Sequence, residues 1–556
     1  MEVQYSCTIV SKVLLFPFLF LLVISNVHVS ASTSVIDNFL KCVPTRSTTS
    51  HPISNAIYTP SNSSFLNVLQ NYVRDSRFNT SLTPKPLAIV TALDVSHVQV
   101  TVICAKTNGV QIRIRSGGHD FEGLSYISND PFIILDMFNL RSIDIDIPNE
   151  IASIQAGATL GELYYKIAQK SNIHAFPAGV CFTLGAGGHF SGGGYGNMLR
   201  QYGLSIDNII DAQVVDANGR ILNRKSMGED LFWAIRGGGG ASFCVILSWK
   251  IKLVRVPDIV TVFNVQKTLE EGATNIVLQW QKIATTIDRK LFIRVQPQVI
   301  QQGGKKTVQV SFIGQYLGRA NTLLTLMKKS FPLLSLQAQD CSEMPWIETT
   351  LFWYGNPKGT PIEVLLQRTP TSSHSYGKHK SDFVKKPIPR EGLEMIWRKM
   401  IEAQILDNIL LLQWNPYGGR MNEIEANATA FPHRAGNLFK IQYITLWQDD
   451  SAETTSKNLE ATRKLYDAFT PYVSKNPRQA FLNYRDIDIG TNEQGSLVFA
   501  SDFFMGNVKR LLQVKANVDP TNFFRYEQSI PVLPKDKKVD IQEKGVVMNG
   551  LRKSSY

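Results

Sequence analysis

"RIRSGGHDFEGL" (Arg113–Leu124) and "CFTLGAGGHFSGGGYG" (Cys181–Gly196) decide how this chain is read. Each runs from an apolar or strand-like lead-in into a burst of glycine. Each sets one reactive side chain, His119 or Cys181, beside that burst. Glycine lacks the Cβ that would hold a ligand off, so successive backbone N–H groups can converge on a phosphate. Two such loops in one domain suit an extended ligand with a pyrophosphate. Neither is the G-x-G-x-x-G fingerprint between a strand and a helix, and neither is a P-loop, since no Gly-Lys-Ser/Thr follows. On pattern alone, tight turns and close backbone packing account for these glycines equally well.

Working outward, the region from about Leu87 to Val256 reads as β/α. "LAIVTAL" is a strand, "VSHVQVTVICAKTNG" a helix closed by Gly109, "VQIRIRS" the strand feeding the first loop, and "PFIILDM" another strand. Thr159 and Glu162 form a capping box that opens the helix "ELYYKIAQK". Upstream, "SVIDNFLKCV" reads as a short amphipathic helix. Beyond Pro257 the character changes. "KLFIRVQPQVI" and "KTVQVSFIGQYLG" flank Gly303-Gly304, a hairpin signal, and "NILLLQW" and "NLFKIQYITLW" are strands. "DPTNFFRYEQSIP" is compact and aromatic, and the polar tail after Pro534 reads as disordered.

Length and composition set wider limits. At 556 residues the chain has room for two or three domains. Its formal charge of +12 is scattered rather than massed. With no zinc-finger spacing, RNA-binding aromatic motif or basic helix, nucleic acid is not an expected partner, and no metal site is expected either. Lys12 precedes "VLLFPFLFLLVIS", an apolar run of signal-peptide length, and Val29-Ser30-Ala31 offers small residues for cleavage. Pro17 interrupts that run, so it reads as a signal rather than a membrane span. Sequons at Asn62, Asn79 and Asn427 agree with a secretory route to the extracellular space, cell wall or vacuole. After cleavage, Cys42, Cys104, Cys181, Cys244 and Cys341 form an odd set, so at least one is free or bonded to something other than cysteine.

The motifs "RIRSGGHDFEGLSY", "AGVCFTLGAGGHFSGGGYGNMLRQYGL", "DLFWAIRGGGGASF" and "NFFRYEQSIP" resemble the berberine bridge enzyme-like family of plant FAD-linked oxidases, from about Asp37 to Pro534. The resemblance implies an α+β fold: a two-part FAD-binding domain of the vanillyl-alcohol oxidase type, and an α+β substrate domain whose antiparallel sheet lies over the flavin. The implied boundaries are a signal peptide at 1–31, an N-terminal segment and FAD-binding domain at 32–256, and a substrate-binding domain at 257–475. A C-terminal segment at 476–534 returns to the FAD domain, and 535–556 is a disordered tail. It further implies that FAD is held by two covalent bonds, from His119 to the 8α methyl and from Cys181 to C6. Arg115, Ser116, Gly117 and Gly118 of the first loop are the matching cofactor contacts, with Gly185, Gly188, His189, Gly192, Gly193 and Gly194 of the second. Cys42 and Cys104 match the family's disulfide pair, which leaves Cys244 and Cys341 free and buried.

On the substrate side, "FKIQYITLW" alternates, so Lys440 and Gln442 share one face of a strand. A bare Lys/Gln pair there usually marks a solvated face; against the family it matches side chains aimed at substrate. Tyr484 matches a catalytic tyrosine and Tyr195 a second one in the active site. A phenol with an ordinary pKa of ~10 needs a cationic neighbour to act as a base near neutrality, and Lys440 is the candidate. Leu184 falls at the position that by analogy governs oxygen access. Phe121, Phe182, Cys244 and Tyr526 depart from the common pattern, and Gln442 stands where the alkaloid-cyclising namesake has glutamate.

The resemblance therefore implies an FAD-dependent oxidoreductase of plant specialised metabolism. It would draw a hydride from a phenolic, prenylated phenolic or allylic/benzylic alcohol to flavin N5, with oxidative cyclisation a variant. Its partners would be a small-molecule substrate and molecular oxygen or another electron acceptor, and the protein a monomer. Two alternatives stand beside it: a non-redox Diels–Alderase-like cyclase using FAD as scaffold, and a carbohydrate or monolignol oxidase. An allergen-like flavoprotein without turnover is a third class, against which the retained Tyr484, Lys440, Gln442 and both tethers weigh.

Overall fold

The computed structural model describes residues 35–369, 375–405, 408–492 and 497–533, and the backbone of two short strands beyond them. The signal-peptide reading of 1–31 lies outside the described residues. The fold is α+β, built on three principal sheets.

The first sheet follows from three apolar runs. Ala88–Thr91, Phe132–Asp136 and Gln111–Arg115 pair in parallel, with Phe132–Asp136 in the middle, and Ile57–Tyr58 adds an antiparallel edge. Phe132–Asp136 is buried throughout, as a parallel strand covered on both faces should be. The crossover helix Val95–Thr107 starts where the Asp94 side chain accepts the Ser96 amide, and ends before Gly109 at φ +70°. The capping box of Thr159 and Glu162 is present at the start of Leu160–Ala168. The second sheet is antiparallel, in the order Ile143–Asp146, Ile151–Gln155, Val245–Lys252, Ile209–Val215, Ile221–Leu222.

The third sheet has seven antiparallel strands: Cys341–Met344, Val260–Thr268, Lys305–Tyr316, Leu291–Gln302, Ile409–Pro416, Phe439–Trp447 and Tyr376–Val384, in spatial order. Its longest hairpin turns at Gly303 and Gly304, both at positive φ, as a two-residue turn that matches the strand twist requires.

Besides a small cluster of Phe65, Leu69 and Tyr126 against Ile89, Phe132 and Ile134 of the first sheet, two large cores divide the apolar side chains. One joins the first two sheets to Phe499, Phe503 and Leu511 near the C-terminus, so the chain comes back to the part it built first. The other runs from Phe263 to Val473 beneath the seven-stranded sheet. A disulfide between Cys42 and Cys104 fastens helix 35–46 to Val95–Thr107. Cys244 is buried as expected, but Cys341, at a sheet edge, is only half-buried. In the tail, Val539–Gln542 pairs with Gly545–Met548, a hairpin where the sequence reads as lacking regular structure.

Candidate active site

A cavity of about 430 Å³ lies between the two glycine loops and the seven-stranded sheet. The loops form its floor. Gly117 and Gly185 sit back to back: a Cβ on either would come within 2.4 Å of the other's amide nitrogen. Gly188 instead faces open space, with nothing within 4 Å of where its Cβ would stand. Packing therefore explains the first two glycines, and access for a ligand explains the third. Ser116, Gly117, Gly118, Gly185, Gly188, His189 and Gly192 all line the cavity.

Arg115, Gly193 and Gly194 do not reach it. The Arg115 guanidinium is fully buried against Asp136 at 2.6 Å and the carbonyls of Val68 and Leu69. It is a structural ion pair, and Arg113, two residues earlier on the same strand, lines the cavity instead. Gly193 lies against Phe481 and Gly194 against Ser205, where a Cβ would come within 3.0 and 2.3 Å of those side chains.

His119 and Cys181 meet at one hydroxyl. Thr183 Oγ1 is 2.9 Å from His119 Nε2 and 3.4 Å from Cys181 Sγ. Burial, with the nearby Arg74 guanidinium, pushes the His119 pKa down to about 3, so the imidazole is neutral and keeps a lone pair for bond formation. Burial raises the Cys181 thiol, while Thr183 and Arg74 pull the other way.

The sheet supplies the ceiling. Strand alternation puts Gln442 and Ile444 into the cavity, and the cross-strand pairing Gln413↔Gln442 brings a second amide beside the first. Arg294 enters from the next strand, its Nε donating to Asn415 Oδ1 at 2.8 Å. Lys440 sits behind the wall. Its Nζ lies 3.6 Å from the ring centre of Tyr195, 4.0 Å from Phe481 and 4.1 Å from Tyr484, and it has no hydrogen-bond partner among the described residues.

Tyr195 and Tyr484 both line the cavity. Burial sets the protonation pattern of these groups. Burial pushes the Tyr484 phenol well above its ordinary value, and Arg294 opposes this only in part. Tyr195 is pushed up to about 12 by burial, again against the pull of Arg294. Lys440 is driven well below an ordinary lysine by burial. Each group is thus biased toward its neutral form, and the lysine touches ring faces rather than a phenol oxygen.

Residues 86–224 match the FAD binding domain family, and residues 480–531 match the family described as berberine and berberine like. Berberine bridge enzyme-like 3 of Arabidopsis thaliana is 53% identical over 531 residues, covering 94% of this chain and 98% of that protein. This chain belongs to the berberine bridge enzyme-like family. The family's FAD-linked oxidoreductases include solved structures of the same fold. Berberine bridge enzyme-like 28 from Arabidopsis thaliana superposes with a TM-score of 0.83 at 45% identity, over 90% of this chain and 100% of that one. Phl p 4, a grass pollen allergen with glucose dehydrogenase activity, does so at 0.83 and 40%, over 89% and 100%.

For a berberine bridge enzyme-like protein the glycine floor fits FAD: one glycine is open to the cavity, and two nucleophiles share one hydroxyl at its wall. Leu184 lines the same cavity beside His189. Of the departures from the family pattern, Phe121 stacks on His379 at 3.7 Å and meets Tyr484 at 6.1 Å, and Phe182 packs on Tyr354 at 4.3 Å. Cys244 and Tyr526 face the cavity directly. Thr183, Arg294, Gln413 and Asn483 also stand in the site without having been singled out by sequence. Thr183 carried the one available signal, its place two residues after Cys181.

Asn62, Asn79 and Asn427 are all exposed. No helix among the described residues is long and apolar enough to cross a membrane.

Proposed function

We propose that this protein oxidises a hydroxyl-bearing small molecule, with FAD attached through both His119 and Cys181 and Tyr484 receiving the substrate's proton. The observation that carries the reading is the Lys440 cage: a buried amine with no hydrogen bond, held on the faces of two tyrosines that line the cavity, opposite the paired nucleophiles. A structural lysine would have a carboxylate or carbonyl partner. One placed on ring faces acts on the charge of those rings.

FAD, when bound, supplies a hydride acceptor. The chain's own part is to hold and orient. The amides of Gln442 and Gln413 direct the substrate's oxygens, while Phe121, Phe481 and Leu184 keep the cavity apolar and exclude water. Because burial disfavours a lone charge on either group, phenol and amine work as a couple. Ionising Tyr484 while Lys440 holds a proton leaves the pair neutral overall.

Phenolic, prenylated phenolic and allylic or benzylic alcohols suit the aromatic walls. The glucose dehydrogenase activity of the pollen relative supports sugars as a second class. The exposed sequons, the Cys42–Cys104 disulfide and the N-terminal apolar run support a secreted or vacuolar protein. Leu184, at the cavity wall, supports restricted access for oxygen.

The test is Tyr484→Phe in anaerobic mixing with candidate alcohols. Flavin bleaching should slow by roughly two to four decades, the range for loss of a general base. The flavin should stay with the protein through acid precipitation. Wild-type conversion by Tyr484→Phe, with no bleaching in either protein, would replace this reading with cycloaddition on an FAD scaffold.

A further inference from the structure

Five arginines are almost wholly buried among the described residues: Arg113, Arg115, Arg200, Arg294 and Arg434. Four are neutralised or saturated. Arg113 pairs with Glu527, Arg115 with Asp136 and Arg434 with Asp207, each within 2.7 Å. Arg200 donates to a ring of backbone carbonyls that includes Tyr417 and Ile287.

Arg294 is the exception. It is 4% exposed, its Nε donates to the neutral Asn415, its guanidinium also reaches the Tyr195 phenol, and it lies 5.0 Å from the Trp353 ring. No Asp or Glu pairs with it among the described residues. It also lines the cavity, in the ceiling beside Gln413 and Gln442. A buried cation without an anion is costly, and this one stands at the cavity wall with only neutral partners, Asn415 and Tyr195.

We propose that Arg294 is the receptor for a carboxylate on the substrate itself, so that the substrate class is a hydroxy acid: one molecule carrying both the oxidisable carbinol and a carboxylate. This rests on the oxidation reading above and names the class of molecule that site takes. The chemistry matches on each side. A carboxylate accepts two parallel N–H bonds from a guanidinium, the geometry Arg offers and Lys does not. The amides of Gln413 and Gln442 are left to meet hydroxyl oxygens. A sugar acid and an aromatic acid both meet these terms.

The holoenzyme tests this by titration calorimetry, with heat rather than turnover as the readout. Two matched pairs serve as probes: glucuronate against glucose, and benzoate against benzamide. Wild type should bind one or both acids roughly ten- to hundredfold more tightly than the neutral partner, the range for hydrogen bonds to a charged group. The pair showing the preference identifies a sugar acid or an aromatic acid as the source. Arg294→Gln should bring that ratio to within about twofold, whatever happens to absolute affinity. Arg294→Lys keeps the charge without the fork and should retain part of the preference; it carries the test if the glutamine variant does not fold. Equal binding of acid and neutral probes by wild type overturns the proposal. So does an acid preference that survives Arg294→Gln, which would assign the guanidinium to the tyrosines instead. Since benzoate and benzamide have no carbinol to oxidise, their result stands apart from whether the protein oxidises anything.

Discussion

Replacing Lys440 with methionine should weaken the enzyme and leave the fold as stable as before, or more so. The amine is fully buried, has no hydrogen-bond partner among the described residues, and rests on three aromatic faces at 3.6 to 4.1 Å. A buried polar group left unpaired costs about 1–3 kcal/mol. Cation–π attraction offsets about 0.5–2 kcal/mol of this when the amine is charged. Methionine fills a similar volume without either term, so the net change in stability is near zero or favourable. The effect on chemistry is larger. An ammonium roughly 4–6 Å from a phenolate is worth about 3–4 kcal/mol at the effective dielectric of a protein interior, or roughly two to three pKa units as an upper bound. Tyr484 starts above its ordinary value because of burial, so its ionised form is scarce at neutral pH. Losing Lys440 should raise it further and move the rising limb of the pH–rate profile upward by one to three units. At fixed pH, flavin reduction should slow by about ten- to a thousandfold. Stopped-flow bleaching between pH 6 and 10, alongside thermal melts, reads both quantities. An unmoved limb means that Lys440 does not tune the phenol. A marked fall in melting temperature means that the amine holds the structure instead.

Other outcomes follow from features already described. His119→Ala and Cys181→Ala should each keep flavin through acid precipitation by the remaining bond, and only the double variant should release it; peptide mass mapping checks this. Cys42→Ser with Cys104→Ser opens a crosslink spanning 62 residues and should cost about 2–4 kcal/mol, read by chemical denaturation. Burial holds His189 and His433 neutral, pushing both down to about 3, whereas the unfolded chain takes up protons at ordinary imidazole values. Their folded values are depressed, so stability is full above about pH 6.5 and should fall as pH drops from there toward 3. A melting temperature flat across that window contradicts the assignment. Leu184→Val should speed reoxidation by oxygen without changing anaerobic reduction, measured in separate half-reactions.

Some of this site can be read without coordinates because its signals are local. Apolar runs ending in glycine locate Gln111–Arg115 and the floor loops, and strict alternation puts Lys440 and Gln442 on one face. Other residues depend on partners far along the chain. Arg115 precedes a glycine burst and so looks aimed at a ligand, yet parallel register sets it opposite Asp136 on the neighbouring strand. Arg294 in an alternating strand looks solvated until that strand is laid beside Asn415, 121 positions away. Lys440 shows the limit of alternation: it identifies the face, but not whether the side chain reaches the cavity or stops behind a wall of rings.

Tyr484 is tied to the sheet through its edge strand. Two residues after it, Asp486 joins Lys378 and Lys380 of the sheet's edge strand, and Glu122 and Asp488 complete the buried cluster. Ser381 Oγ on the same strand also accepts the Phe481 amide. The rest of the ceiling, Arg294 and Gln413 included, hangs from strands that this clamp does not touch. On the proposed roles, the proton-taking Tyr484 and the substrate-sorting Arg294 and Gln413 are therefore held by different strands of the sheet. A change of diet could be drafted on the inner strands of the sheet while the reactive tyrosine stays where the edge strand holds it, a division of labour that makes Arg294 and Gln413 the places to begin redesigning what this protein accepts.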